Sequence, residues 1–197
     1  MERRRALHVI GTGTLAGAAL AGATPASLLA LASRARGRPL TVLSPAQAVL
    51  VAELGELILP ETDTPGARAA EVERFVDLML AEQVEEPARA AFLAFLERLE
   101  AESARRFGRP FLGAAPAQRF TLAAERDTKA FAAPAPTEAE AAADPAAADR
   151  HGWRRLKSWV LAGYYTSEIG SVRELERRII PGSFEGCAPL RVRGEGR

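Results

Sequence analysis

Apolar residues recur three and four positions apart along most of the chain, which is the spacing of one face of an α-helix. The first such run follows Ser44 and Gln47, which form a capping box around Pro45 at the start of a helix. The run stops before Pro60, and its apolar positions are Val49, Leu50, Leu54, Leu57 and Ile58. A second helix is predicted over 69–84, with Val72, Phe75, Val76 and Met79 on one face.

Two further helices are predicted downstream. The third opens at Pro87 and repeats apolar residues at Phe92, Phe95, Leu96 and Leu99. It closes near Gly108, because glycine suits the left-handed position that follows a helix, and Pro110 comes next. The fourth helix, over 116–131, is less regular and has Phe120, Leu122 and Phe131 as its apolar members.

The stretch 132–149 is rich in alanine, proline and glutamate and is predicted to be an exposed connector, with one helical turn capped by Thr137 and Glu140. The helix predicted next, over 150–165, is different in kind, because its large apolar residues nearly encircle it. This pattern is typical of a helix packed on more than one side. Those residues are Trp153, Leu156, Trp159, Val160, Leu161 and Tyr164.

No pattern of paired strands and no internal repeat is visible in the sequence. The fold class is therefore predicted to be all-α, an irregular bundle of five to six helices with an N-terminal signal segment and an extended C-terminal tail. We place a single helical domain at 44–190 and a short basic tail at 191–197.

At the start of the chain, an arginine cluster precedes a long uncharged run rich in glycine and alanine. This head resembles a twin-arginine export signal, with Arg3 and Arg4 as the pair and Leu7 as the apolar residue. Ala30 and Ala32 form a small-x-small site for a signal peptidase, which predicts a signal over 1–32 and a flexible leader over 33–43. Two alternatives stay open: a retained membrane anchor, and a Gly-rich dinucleotide-binding turn.

The charge balance argues against a protein that binds nucleic acid or an anionic membrane. The chain has 26 basic and 25 acidic residues, and without Glu2 and the three arginines of the head 23 basic and 24 acidic residues remain. These charges are interspersed along the predicted helices. A near-neutral chain of this kind has no electrostatic attraction for polyanions.

Few residues could carry catalysis or bind a metal. His8 lies in the head, so His151 is the single histidine of the predicted domain, and it has no partners at metal-ligand or catalytic-triad spacing. Glu61 and Asp63 are interpreted as turn and cap residues rather than as an acid/base pair. Cys187 is the one cysteine, and it is either a buried small residue or one half of an inter-chain disulfide.

The predicted fifth helix holds both tryptophans and both tyrosines of the chain and runs into a polar turn. Tyrosine and tryptophan bury a large area at low entropic cost and are enriched at interface hot spots. We therefore predict a partner interface there, and no catalytic, cofactor or metal site. The predicted members of this interface are Trp153, Trp159, Tyr164, Tyr165, Thr166, Ser167, Glu168 and, in the tail, Phe184.

Four segments of the chain, taken in order with the arginine head, resemble the gluconate 2-dehydrogenase subunit 3 family from about Leu43 to Leu190. The block from Tyr164 to Gly170 is the most specific of them. The segments are Leu59-Pro60-x-Thr62-Asp63-Thr64-Pro65-Gly66-Ala67, Arg106-Phe107-Gly108, Leu161-x-Gly163-Tyr164-Tyr165-Thr166-Ser167-Glu168-Ile169-Gly170 and Pro181-Gly182-x-Phe184-x-Gly186-Cys187.

The resemblance implies a non-catalytic small subunit that binds, stabilises and exports the catalytic subunit of a gluconate, glucose or polyol dehydrogenase complex. It implies no cofactor in this chain, FAD in a flavoprotein large subunit (with an iron–sulfur cluster as a further candidate), and haem c in a multihaem cytochrome c subunit. The twin-arginine translocase would be a further partner, and the complex would lie in the periplasm at the inner membrane. Two alternatives are a periplasmic adaptor of an unrelated redox enzyme and a free-standing enzyme that uses Tyr164 or Tyr165 as an acid.

Overall fold

The computed structural model describes residue 35 and residues 37–176, and every regular element within them is helical. The prediction of an all-α bundle with five to six helices is confirmed for this part of the chain. The shorter elements are a 3₁₀ turn, Phe111–Gly113, and a π-helical segment, Ile169–Glu174. The α-helices are α1 (Pro45–Ile58), α2 (Val72–Glu82), α3 (Glu86–Phe107), α4 (Pro116–Phe131), α5 (Glu138–Ala143) and α6 (Pro145–Thr166).

The start and stop signals in the sequence act as predicted. Ser44 Oγ accepts a hydrogen bond from the Gln47 amide at 3.3 Å, and Gln47 Oε1 accepts one from the Ser44 amide at 2.9 Å. Gly108 ends α3 in the left-handed conformation, with φ of 69°. Thr137 and Glu140 form the capping box that opens α5. These caps satisfy backbone groups that a helix end leaves without partners.

The second helix begins at Val72 instead of Ala69. The preceding turn is closed by hydrogen bonds from the Ala70 amide to the Ala67 carbonyl and from the Glu71 amide to the Arg68 carbonyl. Glu71 adopts a left-handed conformation, with φ of 51°. This backbone geometry is incompatible with a continuous helix, so α2 begins after it.

The prediction of an exposed connector over 132–149 is wrong for its last five residues, 145–149, which belong to α6. Pro145 is the first residue of α6, a position where the missing backbone N–H of proline costs nothing. Asp144 caps the helix, because its carboxylate accepts hydrogen bonds from the backbone amides of Ala146 and Ala147, each at 3.0 Å. Ala147 is buried, and Asp149 pairs with arginines of α3 and α4. Pro145 begins a helix here instead of keeping the chain extended.

The last residues of the predicted flexible leader (33–43) are held against α2. The buried Asp77 carboxylate accepts hydrogen bonds from the amides of Thr41, Val42 and Leu43 at 2.8–2.9 Å and from the Thr41 hydroxyl at 3.0 Å. Leu43 is itself part of the hydrophobic core. Residues 41–43 therefore belong to the folded domain.

Replacing Asp77 with asparagine should lower the free energy of unfolding by about 1–3 kcal/mol, because one oxygen cannot accept all four donors. Burial by itself would raise the pKa of Asp77, but the hydrogen bonds from residues 41–43 outweigh burial and hold it below the ordinary value of 3.8. The wild-type carboxylate therefore stabilises the fold fully above pH 3.8, and this contribution is lost as the pH falls through the lower, folded value. Urea unfolding at a series of acidic pH values measures both effects.

The exposed Glu97 of α3, changed to glutamine, is the matched control and should leave the stability nearly unchanged. An Asp77→Asn variant as stable as this control would show that the carboxylate does not hold the leader.

Helix α6 is the centre of the bundle and contacts each of the five other α-helices. Its aromatic side chains Trp153, Trp159 and Tyr164 are each at most 1 % exposed and lie in one core with Phe92 and Phe95 of α3. Gly152 makes the crossing with α3 close, because a Cβ atom there would lie 2.4 Å from Cγ of Phe95. No helix within the described residues is both long and apolar enough to span a bilayer.

Candidate partner-binding face

Two of the sequence motifs, about a hundred residues apart, meet at one end of the bundle. The Tyr164 hydroxyl, at the end of α6, donates a hydrogen bond to the Pro65 carbonyl oxygen at 2.7 Å. The loop that contains Pro65 is closed on itself by the Ala67 amide, which donates to the Leu59 carbonyl at 2.9 Å. The motif loop (59–67) and the block at the end of α6 thus form one structural unit.

Glu56 of α1 organises the motif loop. Its carboxylate accepts hydrogen bonds from the backbone amides of Glu61, at 2.7 Å, and Arg68, at 2.9 Å. Gly66 lies against this carboxylate, and a Cβ atom there would come within 2.3 Å of a Glu56 oxygen. The Pro-Gly pair therefore reflects a close approach of backbone to side chain, and the loop is shaped by contacts inside the chain.

The hydroxyl groups after Tyr164 also bond to their own backbone. Ser167 Oγ donates to the Tyr164 carbonyl at 2.6 Å and accepts from the Gly170 amide at 3.1 Å, while Thr166 Oγ1 donates to the Ala162 carbonyl at 2.5 Å. Residues 169–174 continue as the π-helical segment, where the Glu174 carboxylate accepts a hydrogen bond from the Thr64 hydroxyl. The block thus turns the chain and fastens it back to the motif loop.

The structure corrects three members of the predicted interface. Trp153, Trp159 and Tyr164 are enclosed by helices of this same chain. Trp153 Nε1 donates to Asp127 at 2.9 Å, and the Trp159 ring packs on the Phe92 ring with 5.1 Å between centroids. Their encircling pattern arises because α6 is the central helix of the bundle, so these side chains have no surface left for a partner.

The remaining predicted members lie closer to the surface. Tyr165 is half-buried and packs edge-on against the Tyr164 ring, with centroids 5.2 Å apart. Thr166 is half-buried, Ser167 is buried and Glu168 is exposed. The other predicted site residues lie outside the described residues: Arg3, Arg4, Leu7, Ala30, Ala32, Phe184 and Cys187.

Charged residues of the bundle mostly hold helices together. Asp149 accepts hydrogen bonds from Arg98 at 2.7 Å and Arg126 at 2.6 Å, and Arg126 also pairs with Glu102. This network joins α3, α4 and α6. Within the described part of the chain, no group of three or more histidine, cysteine, aspartate or glutamate side chains is placed to hold a metal ion.

His151 lies on α6 and lines a shallow apolar pocket between α3 and α5. Burial, and secondarily the positive charge of Arg155, hold the pKa of His151 below its ordinary value of 6.5, while Glu138 opposes this shift. The histidine is therefore neutral at neutral pH. Besides Glu138 and Arg155 the lining of this pocket is apolar, and it includes no serine, threonine or cysteine that His151 could activate as a nucleophile.

A groove between α1 and α4 was not predicted from the sequence. Phe120, an apolar member of the predicted fourth helix, is 42 % exposed and lines this groove with Leu57 and Ile58. The signal was present in the sequence: Phe120 and Leu122 are two residues apart, about 200° around a helix, so they cannot both face the core. Leu122 is the buried one.

The fold and the motif contacts define a small all-α domain in which two sequence motifs pack together at one end of a bundle built around a central aromatic helix. The sequence model of gluconate 2-dehydrogenase subunit 3 matches residues 45–182. The chain belongs to this family, an accessory-subunit family of the dehydrogenase complex. The family resemblance stated from the sequence is thereby confirmed over residues 45–182, whereas the twin-arginine signal stays a prediction. A search of curated proteins and a search of solved structures found no significant match.

Proposed function

We propose that the chain is the non-catalytic small subunit that binds, stabilises and exports the FAD-dependent catalytic subunit of a gluconate, glucose or polyol dehydrogenase complex. The observation that carries this proposal is the family match over residues 45–182, in a chain that also has a head resembling a twin-arginine signal. Arg3, Arg4 and Leu7 would be read by the translocase, and Ala30 and Ala32 would mark the cleavage site.

The partners are a flavoprotein large subunit, which carries FAD and is a candidate for an iron–sulfur cluster, and a multihaem cytochrome c subunit. The assembled complex lies in the periplasm at the inner membrane. On this chain, the predicted contacts near the surface are Tyr165, Thr166 and Glu168, at the end of the bundle where the motifs meet. Phe184 and Cys187 would add to the interface, Cys187 as one half of an inter-chain disulfide.

The structure changes how such a subunit would work. Because the aromatic helix is closed by its own chain, the domain does not need a partner to complete its core. The small subunit would fold first and offer a preformed surface to the flavoprotein. The head of the chain resembles a twin-arginine signal, and the twin-arginine pathway moves proteins that are already folded. A small subunit that folds first suits this pathway.

Isolation of the affinity-tagged chain from its own cells tests the binding step. We expect the flavoprotein subunit to co-purify in stoichiometric amount, with bound FAD and with sugar or sugar-acid oxidation by an artificial dye. The chain purified alone should show no such turnover. Recovery of the chain without any dehydrogenase subunit, or turnover by the chain alone, would contradict the proposal.

A further inference from the structure

A surface pocket with a volume of about 510 Å³ lies between α3, α4 and α6, beside the network of arginines and carboxylates that joins these helices. This volume is within the range of pockets that bind small molecules. Alanine side chains form part of the pocket wall, and the remaining lining residues are charged. We call it the α4–α6 pocket, and its charged residues are Glu102, Arg126, Lys129, Asp149 and Arg150.

The two carboxylates of the α4–α6 pocket already have cationic partners within the chain. Asp149 pairs with Arg98 at 2.7 Å and with Arg126 at 2.6 Å. Glu102 pairs with Arg126 and, at 3.4 Å, with Arg106. Because their negative charges are compensated, these carboxylates exert little attraction on a further cation.

Two of the cations that line the α4–α6 pocket are not neutralised in this way. Within the described part of the chain, neither Lys129 nor Arg150 forms an ion pair. The Nε atom of Arg150 is buried and has no hydrogen-bond partner among the described residues. A buried donor of this kind is uncommon, because the free energy lost when it leaves water is not regained. The pocket is therefore lined by two cations without a countercharge in contact, one of which has an unused donor.

The acidic residues that feel the charge of these two cations are bonded to other groups. The pKa of Glu125 lies below its ordinary value of 4.5 chiefly because Arg106 donates hydrogen bonds to its carboxylate, and the charge of Lys129 is a smaller cause. The pKa of Glu140 is lowered chiefly by hydrogen bonds inside its own capping box, and the charge of Arg150 is again a smaller cause. Neither acid therefore satisfies the cations that line the pocket.

Positive charge is crowded on this side of α6. Arg154, four residues after Arg150, donates hydrogen bonds to the carbonyl oxygens of Ala130 and Ala133, each at 2.7 Å, and Ala133 lines the pocket. Burial, and secondarily the like charge of Arg150, hold the pKa of Arg154 below its ordinary value, while Asp127 opposes this shift. A cleft with an excess of one sign of charge concentrates ligands of the opposite sign.

We propose that the α4–α6 pocket binds a small organic dianion, a phosphate monoester or a dicarboxylate, with Lys129 and Arg150 as its charged contacts. Arginine offers a planar fork of N–H donors to two oxygens, and lysine offers a compact positive charge. A phosphate monoester carries close to two negative charges at neutral pH, and a dicarboxylate carries two, so either ligand matches the two cations. Binding here requires no partner subunit, so its failure would leave the proposed function standing.

Isothermal titration calorimetry of the full chain at neutral pH and low salt tests the site with three probes: glycerol 3-phosphate, malonate and acetate. We expect at least one of the two dianions to bind, and acetate to bind about tenfold more weakly or less, because a monoanion can neutralise only one of the cations. The tighter of the two dianions identifies the preferred acidic group.

Lys129→Gln and Arg150→Gln should each weaken binding of that dianion by about fivefold or more, because each removes one charge-assisted contact. Arg150→Lys should keep part of the affinity, since it retains the charge but not the fork. Arg105→Gln is the matched control, because Arg105 is exposed on α3 and lies outside the pocket lining, and it should leave the affinity unchanged.

Circular dichroism melting of each variant shows whether it folds, and either pocket variant can replace the other because the two residues lie on different helices. Absence of binding by both dianions overturns the site, and so does equal affinity for acetate. Unchanged affinity in the folded double variant, Lys129→Gln with Arg150→Gln, also overturns it, because the dianion would then bind elsewhere, as at the arginines of the head. An equal loss with Arg105→Gln overturns it in favour of a general charge effect.

Discussion

Replacing Trp159 with alanine should lower the free energy of unfolding of the purified chain by about 3–5 kcal/mol, the cost of removing a fully buried aromatic side chain. Trp159 has no exposed surface, and its ring packs on Phe92 and lies 5.7 Å from the Arg155 guanidinium. Its indole N–H is buried without a hydrogen-bond partner, so the substitution removes packing and no hydrogen bond. Urea unfolding followed by far-UV circular dichroism measures the loss.

Phe120→Ala provides the control for this substitution, because it also truncates a large aromatic residue but at a half-exposed position. Phe120→Ala should lower the free energy of unfolding far less, by about 0.5 kcal/mol, as is typical of a surface substitution. Trp159→Phe should keep most of the stability, since it preserves an aromatic ring and removes the unpaired N–H. A Trp159→Ala variant that loses no more than Phe120→Ala would show that α6 is not enclosed by its own chain.

Much of the fold could be predicted because its local signals are strong. The capping box at Ser44, the glycine that ends α3 at Gly108 and the whole span of α4 follow from short-range chemistry that acts the same way in any context. The helix start at Pro145 was not predicted, because the effect of a proline depends on its position: it breaks the interior of a helix but suits the first turn.

The candidate interface could be predicted less well, and the reason is physical. A helix with apolar residues on all sides has the same pattern whether its neighbours belong to its own chain or to another protein. Sequence alone therefore cannot assign Trp153 and Trp159 to a core or to an interface. The exposure of Phe120 was not predicted for a related reason: the spacing of Phe120 and Leu122 shows that only one of them can face the core, but nothing local shows which.

The long-range contacts between the motifs also could not be predicted from the sequence. The hydrogen bond from Tyr164 to Pro65 and the role of Glu56 in shaping the loop depend on how α1 and α6 pack. Family resemblance indicated that these segments recur, but not that they contact each other. The structure shows that the two segments contact each other within this chain.

Replacing both Arg3 and Arg4 with lysine should have the largest effect on export, because the double substitution removes the guanidinium pair while keeping the positive charge of the head. We expect most of the periplasmic dehydrogenase activity to be lost and the flavoprotein to accumulate in the cytoplasm with this chain bound to it. Lysine at Arg34 and Arg36, in the segment after the predicted cleavage site, is the matched control and should leave export unchanged.

The distribution of flavoprotein and dye-linked dehydrogenase activity between cytoplasm and periplasm, in cells carrying either pair of substitutions, tests the escort role most directly. The account predicts that both flavoprotein and activity stay in the cytoplasm with the Arg3→Lys, Arg4→Lys chain and reach the periplasm with the control. Normal periplasmic flavoprotein and activity with Arg3→Lys and Arg4→Lys would contradict it.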